Sequence, residues 1–148
     1  MFDEQVRDWM STDIVTVDIT GTLPEAHALM KEKKIRRLPV LDEGRLVGIV
    51  TLGDIREASP SDATSLSIYE LNYLLAKLDV ESIMTREPLS VSPSTKLSEA
   101  AKLMLNHKIG GLPVLDGEKL VGMITESDIF RAFVRVAESD GSTEKARV

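Results

Sequence analysis

The chain repeats itself. Shifted by 74 positions, Val6–Ala58 aligns with Val80–Ala132 without a gap, and 22 of the 53 pairs are identical. Self-similarity at one fixed spacing sets the architecture before any single residue is read. The densest blocks are Ile35-Arg36-Arg37-Leu38-Pro39-Val40-Leu41-Asp42 over Ile109-Gly110-Gly111-Leu112-Pro113-Val114-Leu115-Asp116, and Leu46–Ile55 over Leu120–Ile129. Such a chain folds as two copies of one small unit, and the fold class is that of the unit.

Each unit reads as βαββα, an α/β fold with α+β character. Val15–Val17 and Leu89–Val91 are short β-prone runs. Leu23, Ala26, Leu29 and Met30, with Leu97, Ala100, Leu103 and Met104, recur at spacings of three and four and so share one helical face. Thr22 and Glu25 have the spacing of a capping box. Lys96 takes the place of Thr22 in the second unit, so its cap is expected from Ser94 or Thr95. Leu38–Asp42 and Leu46–Thr51 then read as a hairpin, as do Leu112–Asp116 and Leu120–Thr125, each with a short glycine-containing connection. Helices follow from near Gly53 and Ser127. The organisation expected is repeat 1 over 6–58, a linker over 59–79, repeat 2 over 80–137 and a flexible tail over 138–148. Ser59–Ser65 is polar and breaker-rich. Ile68, Leu71, Leu74, Leu75 and Leu78 mark an amphipathic linker helix flanked by Tyr69 and Tyr73.

Composition narrows the function. With 43% hydrophobic and 28% charged residues and no cysteine, the chain has a globular balance and lacks disulfides, thiolate metal sites and cysteine nucleophiles. A net charge of −6 argues against a general nucleic-acid or anionic-membrane surface. The longest apolar run, Leu46–Leu52, is far short of the about 20 residues a membrane helix needs. The acidic start has no apolar h-region. These features together lead to the expectation of a soluble cytoplasmic protein.

Leu38-Pro39-Val40 with Gly48, Thr51 and Asp54, and Leu112-Pro113-Val114 with Gly122, Thr125 and Asp128, resemble the two hallmarks of the CBS domain: a Leu-Pro-Val strand and a Gly-h-h-Thr-x-x-Asp turn, h being apolar. Val6–Met10 and Val80–Met84 are similar to its opening helix. The resemblance spans about nine-tenths of the chain. It implies a Bateman module of the stand-alone kind, in which two units with pseudo-twofold symmetry pair two helix-flanked sheets and leave two clefts between them. It further implies an adenine nucleotide (AMP, ADP or ATP) or S-adenosylmethionine as ligand, a regulatory role, no required cofactor, and association into a homodimer or with a protein partner.

The residues suit that chemistry. One ionised carboxylate accepts hydrogen bonds from both vicinal hydroxyls of a ribose. Asp54 and Asp128 fit that role, with Thr51 and Thr125 at strand ends pointing a hydroxyl at sugar or phosphate, and helix starts at Gly53 and Ser127 offering backbone N–H groups. The competing interpretation is that both aspartates merely cap helices. The resemblance implies a phosphate role for Arg36 and Arg37, which match family positions that often face phosphates. Gly110 and Gly111 supply no charge there but leave room for a flat base, so the two sites should differ. For adenine, an apolar slot is expected from Ile14, Val15, Ile35 and Leu38 in one unit and from Leu89, Val91, Ile109, Gly110, Gly111 and Leu112 in the other, although each apolar side chain also serves as ordinary core.

Met10, Met30, Met84 and Met104 recur at repeat positions and are read as core. Phe130 and Phe133 fall on the final helix, where apolar exposure would serve dimerisation. No GxSxG elbow, P-loop, HExxH or GxGxxG occurs. The expectation is a binder rather than an enzyme, with a purely structural dimerisation module as the alternative.

Overall fold

In the computed structural model the described residues are 3–58, 67, 69, 70, 73, 76 and 78–145, without the side chains of 140–145. The Leu-Pro-Val-Leu-Asp run forms the same strand in both copies. β2 (Arg37–Asp42) pairs antiparallel with β3 (Arg45–Thr51), and β5 (Gly111–Asp116) with β6 (Lys119–Thr125). Both hairpins shift register at the same place, between Val40 and Leu41 and between Val114 and Leu115. Their two-residue turns differ. Glu43 and Gly44 both have positive φ, the signature of type I′, whereas Gly117 carries the positive φ in the second turn, as type II′ requires.

The chain divides into two compact units whose limits do not follow the sequence repeat. One is Val15–Pro88; the other joins Met1–Ile14 to Leu89–Val148. The opening segment of each repeat therefore packs into the unit built by the other repeat.

In the Val15–Pro88 unit a four-stranded sheet runs in the order β1 (Val17–Asp18), β2, β3, β4 (Thr85–Arg86), with β1 parallel to β2. Helices α1 (Leu23–Lys33), α2 (Leu52–Ala58) and α3 (Val80–Ile83) belong to the same unit. The expected capping box is present: Glu25 N–H donates to Thr22 Oγ1 and Thr22 N–H to Glu25 Oε2, both at 3.3 Å. The core is Leu23, Ala26, Met30, Leu38, Val40, Val50, Ile55, Val80 and Met84. Burying each of the larger side chains contributes about 1.5–3 kcal/mol. Leu78, half-buried, packs against it. Tyr69 and Tyr73 are exposed. Ile68, Leu71, Leu74, Leu75 and Ser59–Ser65, which carry the linker expectation, lie outside the described residues.

The other unit places a 3-10 helix (Val6–Asp8), α4 (Leu97–His107) and α5 (Glu126–Lys145) around the β5–β6 hairpin. Its core is Val6, Val91, Leu97, Ala100, Met104, Leu112, Val114, Ile124 and Ala132, with Trp9 and Met10 packed on it. Three expectations are corrected by the structure. The cap of α4 is Lys96 with no side-chain bond, because Thr95 Oγ1 is taken by the Ser92 N–H at 3.0 Å. Leu89–Val91 forms only a single bridge, Val91 to Val114, since the chain turns at Pro93 and Ser94. Likewise β1 is confined to Val17–Asp18. The backbone of α5 stays helical to Lys145, well past Ser139.

Both α1 and α4 end in a lysine in the left-handed region, Lys34 (φ 56°) and Lys108 (φ 54°). Ile35 N–H then reaches back to Met30 O at 2.9 Å, and Ile109 N–H to Met104 O at 3.0 Å. This is the Schellman closure, formed without the usual glycine.

Candidate functional site

The strand-to-helix turn after each hairpin gathers the predicted polar residues. β3 ends at Thr51 and α2 begins at Leu52; β6 ends at Thr125 and α5 begins at Glu126. Thr51 N–H donates to Asp54 Oδ2 at 2.8 Å and Asp54 N–H to Thr51 Oγ1 at 3.0 Å. That reciprocal pair is a capping box, and the negative charge stands in the first turn, where the helix dipole favours it. Arg36 and Arg37 are brought to the same turn by the backbone: Arg37 is registered opposite Thr51, and Arg36 O accepts from Leu52 N–H at 2.8 Å. The Arg36 side chain is exposed and that of Arg37 half-buried.

The second turn repeats the backbone and changes the side chains. Gly111 is registered opposite Thr125, and Gly110 O accepts from Glu126 N–H at 3.0 Å. Thr125 N–H donates to Asp128 Oδ2 at 2.8 Å, and here the Thr125 hydroxyl also donates to that oxygen, at 3.2 Å. Arg131 Nη1 holds the other oxygen, Oδ1, at 3.0 Å. The Asp128 side chain is 12% exposed and that of Arg131 62%. Arg131 was not among the sequence candidates. Its signal was its place three residues after Asp128 on one helix, where side chains meet. Seventy-four positions earlier stands Glu57, which is exposed and cannot donate.

The apolar candidates separate by burial. Leu38 and Leu112 are fully buried and Val91 nearly so, all three inside the cores of their units. Val15 and Ile35 are half-buried at the edge of the Val15–Pro88 core, and Ile109 stands in the same relation to the other core. Leu89 is 42% exposed. Gly110 is half-buried and Gly111 buried. Ile14, also half-buried, belongs with Leu89–Val148 rather than with Val15.

Outside these turns, Asp18 on β1 accepts from the Thr20 hydroxyl and N–H, which hold its carboxyl below its ordinary range. Phe130 and Phe133 are each 65% exposed on α5. Among the described residues no group of His, Cys, Asp or Glu is placed to hold a metal ion, and no helix is long and apolar enough to cross a membrane.

A family model described as the CBS domain matches residues 6–61 and 80–135. A CBS domain-containing protein of Dictyostelium discoideum is 36% identical over 135 residues, covering 90% of this chain and 93% of its own. Among solved structures, Arabidopsis thaliana CBSX2 in complex with AMP superposes with a TM-score of 0.74 at 32% identity, over 89% of this chain and 97% of that one. The CBS domain pair of protein MJ0100, in complex with 5′-methylthioadenosine and S-adenosyl-L-methionine, gives a TM-score of 0.73 at 31% identity, over 88% and 95%.

Proposed function

The chain belongs to the CBS-domain family, and we propose that it is a regulatory module that binds an adenosyl ligand (AMP, ADP, ATP or S-adenosylmethionine) without catalysis. The observation that carries this reading is the doubled Thr–Asp turn, Thr51 with Asp54 and Thr125 with Asp128, set at the same strand-to-helix junction twice. Capping and binding do not compete for the same atom at Asp54: the cap uses Oδ2, and among the described residues Oδ1 is left to accept a ribose hydroxyl. Arg36 and Arg37 beside Thr51 bring cationic charge for a phosphate, and each unit has its own apolar surface for a base, half-buried Val15 and Ile35 in one and half-buried Ile109 with exposed Leu89 in the other. Relatives solved with AMP and with S-adenosylmethionine support the ligand class.

A ligand that binds one arrangement of the module better than another shifts its population, and a partner that reads the arrangement reads the ligand. Exposed Phe130 and Phe133 favour a second copy of the chain as one such partner. The same residues suit the alternative, a dimerisation module with no ligand. Thermal unfolding across AMP, ADP, ATP and S-adenosylmethionine separates the two. A ligand at 100 times its Kd adds about 2.7 kcal/mol to stability. No shift with any of the four contradicts the binding reading, and a monomer by sedimentation contradicts the dimer.

A further inference from the structure

We infer that Arg131 is a specificity-determining residue that latches Asp128 against ribose hydroxyls, so that Asp54 is the higher-affinity of the two carboxylates for a neutral diol. The inference rests on the ribose-binding reading above. A vicinal diol needs accepting positions on the carboxylate that face solvent. Asp128 spends Oδ2 on two donors from Thr125 and Oδ1 on the guanidinium of Arg131, and its side chain is almost wholly enclosed. A diol arriving there must share Oδ1 with Arg131 or displace it. Among the described residues Asp54 bonds only through the turn itself, once at Oδ2 and once through its own N–H, and the position matching Arg131 is Glu57, a carboxylate that accepts rather than donates. The duplication thus carries a latch in one copy and none in the other.

The size of the effect is bounded by the exposure of Arg131. An ion pair with one well-solvated partner shifts an equilibrium by about two- to fivefold. Adenosine is the suitable probe, because it carries the diol without a phosphate that Arg36, Arg37 or Arg131 could attract directly.

The test is titration calorimetry of adenosine into the full chain, with Asp54→Asn isolating the Asp128 position and Asp128→Asn isolating Asp54. Adding Arg131→Ala to Asp54→Asn should tighten adenosine about two- to fivefold, and should leave 2′-deoxyadenosine, which lacks the vicinal pair, unchanged. Adding Glu57→Arg to Asp128→Asn should weaken adenosine by a similar factor. Arg131→Gln, which keeps a neutral donor, should fall between Ala and Arg, and it covers the case in which the alanine variant melts early. Unchanged or weaker adenosine binding with both Arg131 variants overturns the latch. Wild-type affinity in the Asp54→Asn, Asp128→Asn double variant instead overturns the ribose reading itself, and the latch with it.

Discussion

Met84 lies directly over Gly48: a Cβ on that glycine would stand 2.5 Å from Met84 Sδ and 2.9 Å from the Thr85 carbonyl oxygen. Met10 takes the corresponding seat over Gly122, with Sδ at 2.9 Å and the Ser11 carbonyl oxygen at 2.8 Å. The glycine of the repeated Gly-h-h-Thr-x-x-Asp turn is thus a packing position, cleared for a methionine that comes from the opening segment of the other repeat. A methionine can swing its sulfur aside, but the carbonyl behind it belongs to paired backbone and cannot move cheaply. Gly48→Ala and Gly122→Ala should each destabilise by about 1–3 kcal/mol in chemical denaturation, the cost of overpacking a filled site. A change within 0.5 kcal/mol in both would show that the seat is loose.

The exchanged opening segments have a second consequence. Val6 is fully buried in the core of the unit holding α4, β5 and β6, and Val80 in that of the unit holding α1, β2 and β3. Val6→Ala should cost about 1–3 kcal/mol and should raise amide hydrogen exchange in Leu97–His107 and Gly111–Thr125. Val80→Ala should do the same in Leu23–Lys33 and Arg37–Thr51. Faster exchange confined to the mutated residue's own sequence repeat would contradict the exchange.

Lys34 and Lys108 hold left-handed backbone at a Schellman closure. Such a conformation costs a non-glycine residue about 1–2 kcal/mol, against roughly 0.5–1 kcal/mol of extra chain entropy lost on ordering glycine. Lys34→Gly and Lys108→Gly should therefore each stabilise by about 0.5–1 kcal/mol, read as a rise in denaturant midpoint at unchanged slope.

The Thr20 hydroxyl, and then its N–H, favour the ionised form of Asp18. A carboxyl with a lowered folded-state pKa contributes its stability above its unfolded pKa and loses it as pH falls through the lowered value. Thr20→Val removes the larger of the two influences, and the Asp18 carboxyl carbon should then titrate at a higher pH by NMR. An unmoved titration would show that the backbone donor alone sets it.

Much of this organisation was legible in the sequence, for a physical reason: two copies of one pattern fix what a single copy leaves ambiguous. The hairpins, the Thr22–Glu25 box and the core methionines follow from periodicity and turn chemistry, which are local. The crossed opening segments were not legible, because Val6 and Val80 are equivalent in the repeat and nothing in either local pattern says which core it enters. The cap of α4 was misread because Thr95 had a nearer donor in Ser92. At the site, Thr51, Asp54, Thr125 and Asp128 stood out by repetition. Arg131 did not, since what distinguishes it is a difference between the copies, Arg against Glu57, and a search for identity passes over differences.

The most direct test of the central claim, that the Thr–Asp turns hold an adenosyl ligand, is calorimetric titration of AMP into the wild-type chain and into the Asp54→Asn, Asp128→Asn double variant. Asparagine keeps an acceptor for the Thr51 and Thr125 N–H groups, so the fold should persist, as a melting curve would verify. Saturable heat in the wild type and a loss of at least tenfold in affinity in the double variant is the expected result. Equal affinity in the two proteins, or no heat in either with AMP or with S-adenosylmethionine, would contradict the account.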